Sequence, residues 1–145
     1  AVARIYRLKG RDDNKPFIIS ISNTKDLKNF GLTYDSVWPT KTTIILPLGS
    51  TMVIKKLKYL HRGTNSLAFR LISKRNKNLF EILEKVGPLV APSANPQGGE
   101  PAKTIKEAKE YFGKKVDFYL DSGRKIGKPS RIISIEGDKI KVIRK

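Results

Sequence analysis

Short apolar runs of strand length alternate along this chain with segments whose apolar residues recur at helical spacing. Strands are predicted over residues 17–21, 42–48, 51–54, 67–71, 89–91 (short and buried), 116–120, 131–135 and 139–143. Helices are predicted over residues 2–8, 24–30, 79–86 and 104–113, with cap residues at Asn23 and Thr104 and a stop at Gly87-Pro88. Because the alternation lacks strict βαβ regularity, it favours an α/β (α+β) fold, a twisted mixed β-sheet flanked by helices. With no repeat or linker visible, residues 1–145 are expected to form a single domain.

The charge balance restricts the partners of such a domain. Lys and Arg number 30 and Asp and Glu 13, so the formal net charge is +17. This imbalance favours a polyanionic partner (nucleic acid, nucleotide phosphates or an anionic membrane surface), although a generally basic proteome would also produce it. No acidic residue occurs between Asp35 and Glu81, which is typical of phosphate-backbone binding. The cations of this stretch are Lys41, Lys55, Lys56, Lys58, Arg62, Arg70, Lys74, Arg75 and Lys77.

Several kinds of site are excluded by residue types that the chain lacks. Without cysteine there is no disulfide framework, thiolate nucleophile or Cys-based zinc site, and the chain fits a reducing compartment. The single histidine, His61, lies in a basic stretch that gives no sign of a catalytic base. No apolar run approaches the ~20 residues that a membrane-spanning helix needs. We therefore expect a cytoplasmic protein with no membrane partner and no directly assignable metal ligands.

Two short segments combine the groups that hold anions. In Lys9-Gly10-Arg11, two cations flank a glycine at the end of a helical segment, an arrangement that could clamp a phosphate or form a solvated basic helix end. In residues 91–95, a strand edge delivers the hydroxyl of Ser93 and the amide of Asn95 just before a glycine loop and a capped helix. The alternative for this second segment is a polar turn, since Ser, Asn, Pro and Gly are the usual turn residues.

A strand and a loop supply two further candidates. By alternation along residues 66–71, Arg70 shares one face with Ser66 and Ala68, where it suits a carboxylate or phosphate partner or faces water on an edge strand. Residues 121–130 form a basic loop punctuated by glycines, which is plausible as a lid or anion-binding loop or as an ordinary soluble loop.

Taken in order, these segments resemble the YrdC-domain family, the threonylcarbamoyl-AMP synthases, over nearly the whole chain. The most specific match is residues 87–95, Gly-Pro-Leu-Val-Ala-Pro-Ser-Ala-Asn, which are close to the family's G-P-L-V-A-P-S-A-N. The other matching segments are 5–11 (a helix ending in K-x-R), 38–43 (W-P-G-x-x-T, with Thr40 replacing Gly), 66–70 (T-V-A-V-R), 122–133 (D-G-G…G…P-S-T-I-V, with Arg131 replacing Thr) and 142–144 (V-L-R).

The resemblance implies an enzyme that joins L-threonine, bicarbonate or CO₂, and ATP into threonylcarbamoyl-AMP and pyrophosphate, usually with Mg²⁺. The product would feed threonylcarbamoyl modification of tRNA through downstream transfer proteins, and the basic surface could contact tRNA or other RNA. The family's ATP-binding roles fall on Lys9, Arg11, Lys15, Ser66, Ser93, Asn95 and Arg144. Its threonine-binding roles fall on Ser20, Arg70, Ala91 and Ser130, with Arg70 facing the substrate carboxylate.

The chain departs from the family's pattern at several places. Lys15 stands where the family often has Asn, Ser20 where it often has His, and Ala102 where a Ser usually follows Pro101. We also expect the domain to lack the family's N-terminal strand segment, P-T-x-T-x-Y-G-L. Two other functions stay open: a non-catalytic YrdC-like RNA-binding module, and a YrdC domain of another carbamoyl-transfer system such as hydrogenase maturation.

Overall fold

The computed structural model describes residues 1–145, which divide into two compact units. The sheet unit comprises residues 16–91 and 130–145, and the helical unit comprises residues 1–15 and 92–129. Every strand belongs to the sheet unit: β1 (Ile18–Ile21), β2 (Thr42–Pro47), β3 (Ser66–Leu71), β4 (Leu89–Val90), β5 (Arg131–Glu136) and β6 (Lys139–Arg144). The helices are α1 (Val2–Lys9) and α5 (Ile105–Phe112) in the helical unit, and α2 (Thr51–Lys56), α3 (Lys58–His61) and α4 (Lys77–Val86) in the sheet unit. The prediction of one domain stays a prediction.

The six strands form one mixed sheet in the order β4-β1-β3-β2-β5-β6. The β1–β3 and β2–β5 pairs are parallel, whereas the β1–β4, β2–β3 and β5–β6 pairs are antiparallel. The helices and the mixed sheet confirm the predicted α/β class. No helix in the structure combines the length and apolar character needed to cross a membrane.

One face of the sheet supplies the core of the sheet unit. Ile19, Phe69, Ile44 and Ile133 lie side by side on β1, β3, β2 and β5, and all four are buried. Since side chains alternate along a strand, the residues adjacent to these four point to the opposite face. On β1, β3 and β2 one adjacent residue is polar: Ser20 follows Ile19, Arg70 follows Phe69, and Thr43 precedes Ile44. The candidate site begins with these three residues.

The prediction of a strand over residues 51–54 is wrong, because Thr51–Lys56 forms helix α2. The β-branched residues of the segment favoured a strand, but its apolar contacts have helical spacing. Val53 is half-buried, and Leu57 and Leu60 are buried at the following helical positions, whereas Met52 is 77% exposed. The burial of apolar side chains along residues 51–60 therefore determines the local structure, and the four residues 51–54 are too short a segment to show it.

The prediction of a strand over residues 116–120 is also wrong, since no regular element occurs there. The segment lies in the helical unit, which contains no strand with which it could pair. Polar contacts hold it instead: Arg4 Nη1 of α1 donates to Asp117 Oδ2 over 2.5 Å, and Tyr119 Oη donates to the carbonyl of Gly113 over 2.8 Å. Phe118 stays 76% exposed.

Two further predictions are corrected in detail. Residues 89–91 do not form a buried strand, because β4 is a two-residue edge strand that is half-buried and Ala91 is exposed. The segment after Asn23 is helical as expected, but Thr24–Phe30 adopts a 3₁₀ helix, which begins at an Asn23–Asp26 capping box. The remaining predicted helices and strands are present, with ends shifted by a residue or two.

Candidate functional site

The end of helix α1 turns the Lys9 side chain into the interior of the helical unit. Gly10 follows in the left-handed conformation with φ +56°, which ends the helix. Lys9 is only 5% exposed, and its ammonium group donates to the carbonyls of Ser93 (2.6 Å) and Asn95 and to Asn95 Oδ1 (3.3 Å). The segments 9–11 and 91–95, about 85 residues apart and predicted as separate candidate sites, therefore form one cluster.

The amide of Asn95 organises the loop around this cluster. Its Oδ1 accepts a hydrogen bond from Ser93 Oγ over 2.6 Å, and its Nδ2 donates to the carbonyls of Pro96 (3.0 Å) and Gly99 (2.7 Å). Every polar atom of the Asn95 side chain is thus bonded within the loop. The Ser93 hydroxyl is exposed, and the hydrogen bond that it donates to Asn95 Oδ1 holds it in one direction.

Burial lowers the pKa of the Lys9 ammonium, and repulsion from Arg11 lowers it further. Three oxygen acceptors surround the ammonium and compensate its desolvation. Because Lys9 donates its hydrogen bonds to protein oxygens, its charge stabilises the loop. The guanidinium of Arg11 is half-buried and lies nearer to solvent.

The turn that carries Arg11 and Lys15 is tied to the same loop. Arg11 Nε and Tyr6 Oη both donate to the carbonyl of Lys15, over 3.0 and 2.9 Å. The backbone N–H of Asp12 donates to Gln97 Oε1, and the N–H of Gln97 donates to the Lys9 carbonyl. Five of the predicted ATP-binding residues therefore lie on two connected segments of the helical unit: Lys9, Arg11, Lys15, Ser93 and Asn95.

The sheet unit contains a second polar group, built across three adjacent strands. Ser20 on β1 is in register with Arg70 on β3, and Arg70 is in register with Thr43 on β2. Directly paired residues point to the same face, so the three side chains form a row opposite the Ile19–Phe69 core. Ser20 and Thr43 are buried and Arg70 is half-buried. The sequence prediction included Ser20 and Arg70 but gave no role to Thr43, although Thr43 is the last residue of the segment 38–43 that matches the family's W-P-G-x-x-T.

Ser130 joins this row from the segment before β5. Its hydroxyl lies 2.8 Å from Thr43 Oγ1, and both side chains are buried. The carbonyl of Ser130 accepts two hydrogen bonds from the Arg144 guanidinium, from Nε over 3.0 Å and from Nη2 over 2.8 Å. Three of the four predicted threonine-binding residues, Ser20, Arg70 and Ser130, are therefore linked through Thr43.

The other predicted site residues lie at the margins of the sheet unit. Ser66 begins β3 on the same face as Arg70, about 13 Å away along the strand. Ala91 is exposed directly after β4. The loop 121–129 belongs to the helical unit and is exposed throughout. No group of three or more His, Cys, Asp or Glu side chains is arranged to hold a metal ion.

His61 has a structural role. It is 2% exposed, with Nε2 2.9 Å from the carbonyl of Ile54. Its Nδ1 accepts from the N–H groups of Gly63 and Asn65. Nε2 must therefore carry the proton and donate to Ile54. Nδ1 therefore holds the α3–β3 connection, and Nε2 ties α3 to α2.

Comparison with known proteins places this geometry in a family. The family model named Sua5_yciO_yrdC, described as "Telomere recombination", matches residues 1–145. The chain belongs to the Sua5/YciO/YrdC family. A relative from Methanocaldococcus jannaschii is 34% identical over 148 residues, which cover 99% of this chain and 69% of that protein. A Wigglesworthia glossinidia brevipalpis protein named threonylcarbamoyl-AMP synthase is 32% identical over 159 residues, which cover all of this chain and 76% of that protein.

A solved structure of this family supports the fold directly. The crystal structure of Pyrococcus abyssi Sua5 complexed with L-threonine superposes with a TM-score of 0.81 at 26% identity, covering 99% of this chain and 43% of that one. The chain thus spans less than half the length of that Sua5 protein. The superposed 43% of the Sua5 chain has the same fold as this chain.

Proposed function

We propose that this chain carries L-threonylcarbamoyladenylate synthase activity. The observation that carries the proposal is the Lys9–Ser93–Asn95 cluster, in which the K-x-R and S-x-N residues of the family pattern meet in the helical unit. The names of the curated relatives and the threonine bound to the related Sua5 structure support the same reading. The proposed substrates are ATP, L-threonine and bicarbonate, and the product would be used in tRNA modification. We therefore expect the protein to act in the cytoplasm.

The proposed reaction needs no nucleophile from the protein. The threonine amine and bicarbonate first form a carbamate with loss of water. A carbamate oxygen then attacks the α-phosphorus of ATP, the bond from that phosphorus to the bridging oxygen breaks, and pyrophosphate leaves. Such a step is accelerated by holding the reactants together and by placing positive charge and donors on the phosphates. Mg²⁺ arrives with ATP as part of the substrate.

The two polar groups suit the two substrates. Arg11 and Lys15 provide cations for the triphosphate, and Lys9 and Asn95 hold the neighbouring loop that carries the exposed Ser93. Ser66 and Arg144 complete the proposed ATP set. In the sheet unit, the planar guanidinium of Arg70 fits the threonine carboxylate with two parallel hydrogen bonds. Ser20, Ser130 and Ala91 would surround the rest of the amino acid.

Pyrophosphate release tests the proposal. The protein is mixed with MgATP, L-threonine and bicarbonate, and each component is omitted in turn. We expect release only when all three are present, with threonylcarbamoyl-AMP as the adenylate product. Release that is independent of threonine, or no release together with tight RNA binding, would contradict the proposal.

The second candidate is a YrdC-like RNA-binding module. The observation that favours it is the stretch between Asp35 and Glu81, which contains no acidic residue. Three lysines of this stretch, Lys55, Lys56 and Lys58, are exposed on α2 and α3. The two candidates differ in what they require: the module would bind RNA without ATP, threonine or bicarbonate. Contact with tRNA and with downstream transfer proteins would fit either candidate.

A further inference from the structure

The geometry points to Thr43 as a positioning residue that holds the Ser130 hydroxyl in the amino-acid part of the site. This inference rests on the proposed function and deepens it, because it gives a role to Thr43, which matches the threonine of the family's W-P-G-x-x-T segment but received no role from that match. Thr43 is expected to act through Ser130 without touching the substrate itself.

The contact between the two hydroxyls is short and dry. Thr43 Oγ1 lies 2.8 Å from Ser130 Oγ, a normal distance for a hydroxyl–hydroxyl bond. Thr43 is 0% exposed and Ser130 is 3% exposed. In such surroundings an unpaired hydroxyl would cost free energy, so each side chain needs the other. A valine at position 43 would fill the same space without needing any partner.

Ser130 is held at its other end as well. Its carbonyl receives both the Nε and the Nη2 hydrogen bonds of Arg144, and the N–H of the next residue, Arg131, donates to the carbonyl of Lys41. These contacts fix the backbone of Ser130 but leave its side chain free to choose among rotamers. The bond to Thr43 selects one of them.

The place of Thr43 in the sheet explains why this rotamer matters for the amino-acid site. Thr43 is the direct cross-strand neighbour of Arg70, and Arg70 is the neighbour of Ser20. A hydroxyl has one donor and two lone pairs, and one of these directions is taken by Thr43. The remaining directions of Ser130 Oγ are therefore fixed relative to the guanidinium that would hold the threonine carboxylate.

Three variants test the inference. Thr43→Val removes the hydroxyl and keeps the shape, and Thr43→Ser restores it. Thr42→Val is the matched control, since Thr42 is the adjacent residue on β2, is also buried, points to the opposite face and bonds to the carbonyl of Thr40 over 3.1 Å. Threonine binding is measured by calorimetry, and KM for threonine and for ATP by pyrophosphate release. Thermal unfolding is followed in parallel.

We expect Thr43→Val to weaken threonine binding and raise its KM by roughly five- to tenfold, as for a lost hydrogen bond. The KM for ATP should change less than twofold, and Thr43→Ser should recover most of the loss. Thr42→Val should lower the unfolding temperature about as much while leaving KM for threonine unchanged.

Equal threonine binding by Thr43→Val and the wild type would overturn the inference and leave the proposed function intact. Equal losses in Thr43→Val and Thr42→Val would also overturn it, because they would show a general effect of instability. A wild-type protein that binds no threonine would contradict the proposed function itself, and the positioning role with it.

Discussion

Lys9 and Arg70 are both cations within the candidate site, and their surroundings give them different tasks. The Lys9 ammonium is buried against three oxygens of one loop, so its charge maintains the shape of that loop. Arg70 lies mid-strand and half-buried, with the hydroxyl residues Ser20 and Thr43 as neighbours. No acidic side chain is paired with Arg70 in the sheet register, and its guanidinium therefore suits an external carboxylate.

Replacing Arg70 by lysine should separate the synthase from the RNA-binding module. Arg70→Lys keeps the charge and loses the planar pair of donors. Threonine-dependent pyrophosphate release should fall ~10-fold or more, the size expected for a lost oriented contact. RNA affinity should hardly change, because a backbone phosphate contact depends mainly on charge. Parallel threonine and RNA titrations at fixed salt measure both effects.

The control for this variant is Arg75→Lys, the same exchange at an exposed position beyond β3. It should leave both measurements unchanged. If threonine dependence is the same in Arg70→Lys as in the wild type, Arg70 does not bind the carboxylate.

Arg11 is the residue to test for nucleotide binding. Arg11→Ala should weaken ATP binding by roughly 1.5–3 kcal/mol, the scale of a charge-assisted contact. Arg7→Ala is the matched control, because Arg7 is an exposed arginine one helical turn earlier, outside the predicted site. Nucleotide titration of both variants measures the difference. Unchanged ATP affinity in Arg11→Ala would remove the K-x-R segment from the ATP site.

Among the elements, helix α5 shows how a sequence pattern becomes a local structure. Thr104 Oγ1 accepts from the N–H of Glu107, and the Glu107 carboxylate accepts from the N–H of Lys103 over 2.6 Å. The predicted capping box is thus present in a modified form, with the carboxylate reaching one residue further back. The hydrogen bond from Lys103 is the main cause that lowers the pKa of Glu107 below its ordinary value of 4.5.

The lowered pKa of Glu107 predicts an acid-sensitive helix start. A carboxyl group whose pKa is lower in the folded state stabilises folding above its unfolded pKa, and this contribution disappears as the pH falls through the folded pKa. The wild type should therefore lose stability below pH 4.5 more steeply than Glu107→Gln, which has no charge to lose. Thermal unfolding between pH 3 and 6 measures the two slopes. Identical slopes would show that Glu107 is not engaged at the helix start.

At the scale of the whole molecule, the positive charge is unevenly shared. The sheet unit carries 17 Lys and Arg against 6 Asp and Glu, and the helical unit carries 13 against 7. The ion pairs of Lys77 with Glu81 and of Lys15 with Asp12, both at 3.9 Å, are exposed and contribute little stability. The excess therefore remains at the surface of both units, where a polyanion would meet it.

If the basic surface of α2 binds RNA, removing two of its lysines should be measurable. Lys55→Ala with Lys56→Ala should lower RNA affinity and reduce the slope of log K against log salt by about one unit per lost phosphate contact. ATP binding should be unaffected. The double variant Lys139→Ala with Lys141→Ala, which removes the same charge from the exposed strand β6, is the control. Equal losses in both double variants would mean that only net charge matters.

Features that depend only on neighbours along the chain can be predicted from the amino-acid sequence alone. Helix ends at Gly10 and Gly87 and the cap at Thr104 were predictable, because turn and cap chemistry involves a few adjacent residues. Alternation along β3 also placed Arg70 on the polar face. The same local rules failed at residues 51–54 and 116–120, where a β-favouring composition met no partner strand.

Contacts between groups far apart in the sequence depend on the tertiary fold. Three sets of contacts join segments that are distant in the sequence: the bond between Thr43 and Ser130, the burial of Lys9 against residues 93–95, and the two bonds from Arg144 to the Ser130 carbonyl. Strand order and register fix these meetings, and register depends on packing across the whole sheet. A threonine and a serine 87 residues apart carry no mark of their partnership in the sequence, because that partnership is created by the pairing of β2 with β5.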